Sequence, residues 1–182
     1  MSQNNYNINI VESLLKSENH IRGLAKSLNT NQTTIARKVQ ELYKDNIVDF
    51  KHEGKNKVVF LKKTLEAKQY ACFAETYKLL EFLKKYPQLR NIIEQIKKNE
   101  KIHLAILFGS YAKDTAAKNS DVDIYIDTKD NKLKDEVELI NSKISVKIGD
   151  YNKNSLLIKE IEKNHVIIKG AEVYYEKNKF FD

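Results

Sequence analysis

A chain of 182 residues, 41% of them hydrophobic, is long enough to bury one large core or two small ones and falls outside the composition of a disordered protein. Its longest strongly apolar stretch, Leu104 to Phe108, is far too short to span a bilayer, and the first residues carry no basic start or apolar run, so a cytoplasmic protein with no membrane association is expected. The net charge of +7 is uneven: residues 1–63 hold 11 Lys and Arg against 6 Asp and Glu, whereas residues 101–182 hold 14 against 14. A polyanion partner is expected for the first third only, beside the plainer reading of lysine as a general solvating residue. The single cysteine, Cys72, has no internal disulfide partner, and His20, His52, His103 and His165 lack metal-ligand spacing, so no structural zinc is expected.

In chain order, Ile8, Val11 and Leu15 recur at helical spacing and predict a first helix in INIVESLLKS. HIRGLAKSLN predicts a short second one. TNQTTIARKVQELYKDN predicts a third, capped by Thr30 or Asn31 and buried through Ile35, Val39 and Leu42, which leaves Gln32, Thr33, Thr34, Arg37 and Lys38 mostly outside. IVDFKHEGKNKVVFL then holds two β-rich runs around Glu53-Gly54-Lys55-Asn56, a hairpin signal.

Three helices followed by a basic hairpin resemble the winged helix-turn-helix regulators of the MarR and ArsR type, over roughly residues 6 to 62. The resemblance implies a third helix that enters the DNA major groove, where Arg reads guanine and Gln reads adenine, and wing lysines that hold phosphates. By position it makes Gln32, Thr33, Thr34, Arg37 and Lys38 the reading candidates, with Lys55 and Lys57 on the wing. Asn46 stands where many relatives have glycine, a place asparagine tolerates because it too enters the left-handed region. A winged module used only for protein contacts is the alternative.

No Gly or Pro occurs between Gly54 and Pro87, and TLEAKQYACFAETYKLLEFLKKY is rich in helix formers. Tyr70, Phe73, Tyr77 and Leu80 form one apolar edge, Cys72, Leu79 and Leu83 a second, so this helix needs cover on more than one side. It packs on both domains or against its twin in a homodimer, the latter being preferred because winged modules usually read paired half-sites. Pro87 opens a further amphipathic helix in PQLRNIIEQIKKNE.

KIHLAILF has strand length and ends in Gly109-Ser110. DVDIYID alternates, which puts Asp121, Asp123, Tyr125 and Asp127 on one strand face and Val122, Ile124 and Ile126 on the other. Neighbouring carboxylates repel unless a cation lies between them, and a hard cation such as Mg²⁺ or Mn²⁺, arriving with nucleotide phosphates, suits oxygen ligands. Gly109 would let the backbone approach those phosphates, and Ser110 with nearby backbone N–H groups would hold them.

Gly-Ser, ten residues and Asp-Val-Asp is the signature of the minimal nucleotidyltransferases of the polymerase β superfamily, which residues 101 to 182 resemble, the closing NHVIIKGAEVYY included. The resemblance implies a small mixed sheet flanked by helices, and transfer of a nucleoside monophosphate, AMP for preference, from an NTP. It makes Asp121 and Asp123 catalytic and metal-binding, with Gly109, Ser110 and Lys113 on the nucleotide. Asp114, where many relatives have glycine, is a departure. The family's third carboxylate belongs on the next strand, ISVKIGD, but the residues facing the site there are Ser145 and Lys147; Asp150, just beyond and out of register, is the remaining candidate for a third metal ligand, if it bends back. Related proteins often act as antitoxins that modify a HEPN-class ribonuclease toxin.

The expected chain is therefore α+β: a winged DNA-binding domain over 1–63, a linking or dimerising helix over 64–86, and a nucleotidyltransferase domain over 87–182. The competing expectation is a transcriptional regulator whose nucleotidyltransferase domain is catalytically impaired and binds only nucleotide or a partner.

Overall fold

The computed structural model of the protein describes residues 5–54 and 56–182, and Lys55 of the expected wing lies outside them. The chain divides into two compact units, one of residues up to Tyr77 with Phe180–Asp182 and one of Lys78–Lys179. No helix among the described residues is long and apolar enough to cross a membrane.

In the first unit, α1 (Tyr6–Lys16) buries Ile8, Ile10, Val11 and Leu14, and α2 (Ile21–Ser27) buries Leu24 and Ala25. Helix α3 (Gln32–Lys44) starts at Asn31, whose side chain accepts from the Thr34 N–H at 2.8 Å, and turns Ile35, Val39 and Leu42 inward. An Asn cap of this kind contributes about 1 kcal/mol over Ala. Beyond α3 the chain reverses at Asn46, whose φ of 62° is left-handed. It then forms the hairpin of β2 (Val48–Glu53) and β3 (Asn56–Leu61). A two-residue strand, β1 (Asn19–His20), pairs with β3 through Asn19–Val59 and His20–Val58, so the sheet order is β1-β3-β2. Three helices and a three-stranded wing in this order make the unit a winged helix-turn-helix. The sequence pattern missed only β1, which is too short to show a period of two.

Helix α4 (Leu65–Lys85) runs from one unit into the other. Ala67 and Ala74 belong to the first core, with Tyr70 and Tyr77 partly buried against it, while Leu79 and Phe82 belong to the second. The expected boundaries at 63 and 86 treat this helix as a separate element; the two cores instead divide it within its length. Phe180 and Phe181, expected in the C-terminal domain, lie against the first core.

The second unit continues with a 3-10 turn at Pro87–Leu89 and α5 (Arg90–Lys98), which buries Ile92, Ile93 and Ile96. Strand β4 (Ala105–Leu107) leads into the single turn α6 (Gly109–Ala112), followed by β5 (Val122–Asp127), α7 (Asn131–Glu138) and β6 (Ile144–Gly149). Helix α8 (Leu156–Lys163), β7 (Val166–Lys169) and α9 (Ala171–Asn178) complete it. The sheet order is β6-β5-β4-β7, with β5 and β6 parallel and the other pairs antiparallel. Val122, Ile124 and Ile126 face the core with Leu133, Val137 and Val146, the side of β5 that the alternation predicts. Burying each such side chain contributes about 1.5–3 kcal/mol. The mixed sheet with helices makes the whole an α+β protein.

Candidate functional site

Two short elements assemble the site of the second unit. Strand β4 ends at Phe108, whose N–H donates to the Asp123 carbonyl at 3.0 Å, so the Gly109-Ser110 turn lies beside the acid strand. Gly109 has φ 69°, and a Cβ there would collide with the Asp123 carboxylate. Glycine is required twice over: for the left-handed backbone and for the space the acid occupies. The segments ten residues apart in sequence thus meet through backbone and carboxylate.

Asp121, just before β5, is exposed, and Asp123, on the strand, is half-buried. Burial, and after it the Asp121 carboxylate, pushes the Asp123 carboxyl above the ordinary aspartate range; Glu160 adds to the push, while Lys147 and Lys113 oppose it. A carboxyl crowded in this way favours either a proton or a bound cation. The donor set, two carboxylates on one face beside a glycine turn, fits a divalent cation carried on phosphates. Among the described residues no three His, Cys, Asp or Glu side chains come together to hold a metal by themselves.

Lys113, which leaves α6 toward the loop, is ion-paired at 2.7 Å with Glu160 of α8. Glu160 was not singled out from the sequence. It lies inside an ordinary amphipathic run, LLIKEIEK, and only the return of α8 to this edge of the sheet brings it to Lys113 and within electrostatic reach of Asp123.

The parallel register of β6 puts Ser145 opposite Asp123 and Lys147 opposite Tyr125, so the next strand offers the site a hydroxyl and an ammonium and no acid. Asp150 does not join the pair. It follows Gly149, which is opposite Asp127, and so lies about 16 Å along the strand from Ser145. There it is ion-paired with Lys129 at 2.6 Å. Asp127 is likewise committed elsewhere: its carboxylate meets Lys177 at 2.7 Å and accepts the Tyr151 N–H at 2.9 Å.

Asp114, the departure from glycine, has φ 62° and accepts from Lys85 and, at 2.8 Å, from the Tyr86 hydroxyl. Lys85 foremost, and Tyr86 next, hold its carboxyl below the usual range. Its side-chain bonds offset the left-handed backbone that glycine would adopt freely.

On the first unit, Thr33, Ala36, Arg37 and Gln40 are exposed at helical spacing along α3, with Gln32 at its start. Ala36 and Gln40 extend the face read from the sequence. Thr34 is half-buried with its N–H taken by the cap, and Lys38 is half-buried in an ion pair with Glu41 at 2.7 Å. Lys57, on β3, lies 3.7 Å from the centre of the Phe50 ring.

Residues 90–178 match the family described as Polymerase beta, Nucleotidyltransferase. Among solved structures the chain is similar to the Adhesin competence repressor AdcR of Streptococcus pyogenes (23% identity, TM-score 0.40), covering 48% of this chain and, at 66%, just under two thirds of that one. It is also similar to the transcriptional repressor BigR of Xylella fastidiosa (16% identity, TM-score 0.39), over 43% of this chain and 78% of that one. A third similar structure is the homodimeric winged helix-turn-helix DNA-binding domain of Mb0332 from Mycobacterium bovis (17% identity, TM-score 0.34), over 48% of this chain and 74% of that one. No curated protein matches. With the glycine turn set against Asp123 and the acids on one face of a mixed sheet, residues 90–178 are a nucleotidyltransferase domain of the polymerase beta family, joined in this chain to an N-terminal winged helix-turn-helix.

Proposed function

We propose that the protein is a DNA-binding nucleotidyltransferase that moves a nucleoside monophosphate, AMP for preference, from an NTP to a protein acceptor. The observation that carries this reading is the closure of Gly109 onto the Asp123 carboxylate, which sets a phosphate-approachable turn against two acids. Asp121 and Asp123 would hold Mg²⁺ or Mn²⁺, which, when bound, supplies charge neutralisation for the triphosphate and the departing pyrophosphate. Gly109 leaves room at the turn, Ser110 offers a hydroxyl, and Lys113 and Lys147 offer positive charge to phosphate oxygens. In the transfer, an acceptor hydroxyl oxygen bonds to the α-phosphorus, the bond from that phosphorus to the bridging oxygen breaks, pyrophosphate leaves and the hydroxyl proton passes to solvent. The resemblance to antitoxin nucleotidyltransferases supports a HEPN-class toxin as acceptor, and the exposed α3 face of a basic segment supports duplex DNA as the ligand of the first unit. Incubating the protein with Mg²⁺ and α-labelled ATP, with and without the product of the adjacent gene, is expected to label the acceptor; no label with any of the four NTPs removes the transferase reading.

A second reading rests on β6. With Ser145 and Lys147 facing the site and Asp150 paired elsewhere, the domain binds NTP without efficient transfer and serves a transcriptional regulator. Calorimetry separates the two: Mg²⁺-dependent NTP binding without label transfer to any acceptor supports the regulator.

A further inference from the structure

The core-facing side of β5 carries a second candidate site. A cavity of about 560 Å³ opens beside Val122, with Leu89, Ile92 and the Tyr111 ring as its apolar part. Side chains alternate along a strand, so the Val122 side is the one opposite Asp121 and Asp123, and the cavity is separate from the acid face. Its volume suits a small organic ligand.

Its polar rim is of one sign. Lys118 and Lys143 both line it, no Asp or Glu does, and neither lysine has a carboxylate partner among the described residues. The rim is also held in place. Lys143 donates through Nζ to the Lys118 carbonyl at 3.0 Å, Asn141 Oδ1 accepts the Lys143 N–H at 2.9 Å, and the Val122 N–H donates to the Lys143 carbonyl at 2.7 Å. On the opposite wall the half-buried Tyr86 ring meets Tyr111 edge to face, with centroids 5.1 Å apart. The Tyr86 hydroxyl is fixed by its bond to Asp114 and its ring also packs against Phe82, with centroids 5.0 Å apart, so the aromatic wall is anchored.

We infer that this cavity binds a small phosphorylated ring compound of the nucleoside monophosphate class, its ring against Tyr86 and its phosphate between Lys118 and Lys143. A flat apolar body with an anionic end matches an apolar floor, an aromatic wall and a polar rim whose charged side chains are both lysines. The wall of residues 116–118 belongs to the loop that follows α6 and ends at Asp121, just before β5. Its turn is closed by the Ala117 N–H donating to Ser120 Oγ at 2.9 Å and by the Ser120 N–H donating to the Ala117 carbonyl at 3.0 Å. Binding stands apart from the transferase reading; only an effect on transfer rests on that reading.

The test is titration of the full-length protein with AMP by calorimetry in EDTA, with adenosine and inorganic phosphate as separate probes. Saturable AMP binding is expected, at least tenfold tighter than adenosine or phosphate alone. Lys118→Glu should weaken it tenfold or more while leaving the melting temperature near wild type. Asp121→Asn/Asp123→Asn should leave it unchanged. Absence of AMP binding overturns the inference, as does binding that survives Lys118→Glu or is lost in the double Asp variant. Inorganic phosphate binding as well as AMP removes the aromatic part of the assignment and with it the proposal.

Discussion

Gly109 and Asp123 occupy one small volume, and each dictates what the other position tolerates. Gly109→Ala adds a methyl that the carboxylate already fills, at a left-handed φ. Backbone strain of this kind costs about 1–3 kcal/mol before any rearrangement of the acid. The variant is expected to melt measurably lower and to lose Mg²⁺-dependent NTP binding in calorimetry. Asp123 makes the converse prediction. Its folded-state pKa is raised by burial and by Asp121, so protonation favours the folded state and that contribution is lost as pH rises through the folded pKa. At neutral pH without metal, Asp123→Asn is therefore expected to melt higher than wild type, the difference closing as pH falls below the aspartate range. A lower melting temperature at pH 7 would contradict this electrostatic account. Single residues also mark where sequence was and was not legible. Asn46 was readable as a left-handed position because glycine stands there in relatives, whereas Asp114 was readable only as a departure from glycine, its φ of 62° coming from the structure. What holds Asp114 there, Lys85 and Tyr86, comes from the end of a helix far back in the chain and carries no local signal. Glu160 was illegible for the same reason.

Among the elements, β6 bears most directly on the proposed transfer. Its alternation was legible in ISVKIGD, and so was the absence of an acid; its parallel register with β5 adds which residue stands opposite Asp123. That residue is Ser145. Ser145→Asp would set a third carboxylate beside the pair, and it is expected to raise any Mg²⁺-dependent transfer at least tenfold, about 1.4 kcal/mol in barrier. Asp150→Ala, by contrast, is expected to leave NTP binding and transfer unchanged, because the residue it removes is paired with Lys129 at the strand's far end. Labelled-nucleotide transfer assays on the two variants check both. Helix α4 poses a different question. Its periodicity gave two apolar edges, but periodicity alone does not say which edge each core takes. Tyr70 and Tyr77 are partly buried in the first core, whereas Leu65, Phe73 and Leu80 stay 71%, 51% and 52% exposed. If the chain dimerises through this helix, Phe73→Glu with Leu80→Glu gives a single-chain mass by light scattering, and a wild-type mass of one chain at micromolar concentration excludes the dimer.

For the whole molecule, two surfaces differ in kind: an exposed polar α3 face on the first unit, an acid pair on the second. Duplex binding by the full chain is expected to weaken steeply with salt. Arg37→Ala is expected to relax preference at one base pair by about 1–3 kcal/mol, read by competition between operator variants, while Lys57→Ala weakens all sequences alike. No mobility shift at low salt would remove DNA as the ligand. The division of the chain was only partly legible. Composition and motifs placed two functional halves, but they could not reveal that Phe180 and Phe181, last in sequence, complete the core of the first half. That return has a practical consequence for anyone cutting the protein. A fragment ending at the obvious motif boundary leaves bare the apolar surface those two rings cover. Loss of DNA affinity after removal of Phe180–Asp182 would then report a frayed winged helix, and not a lost contact to DNA.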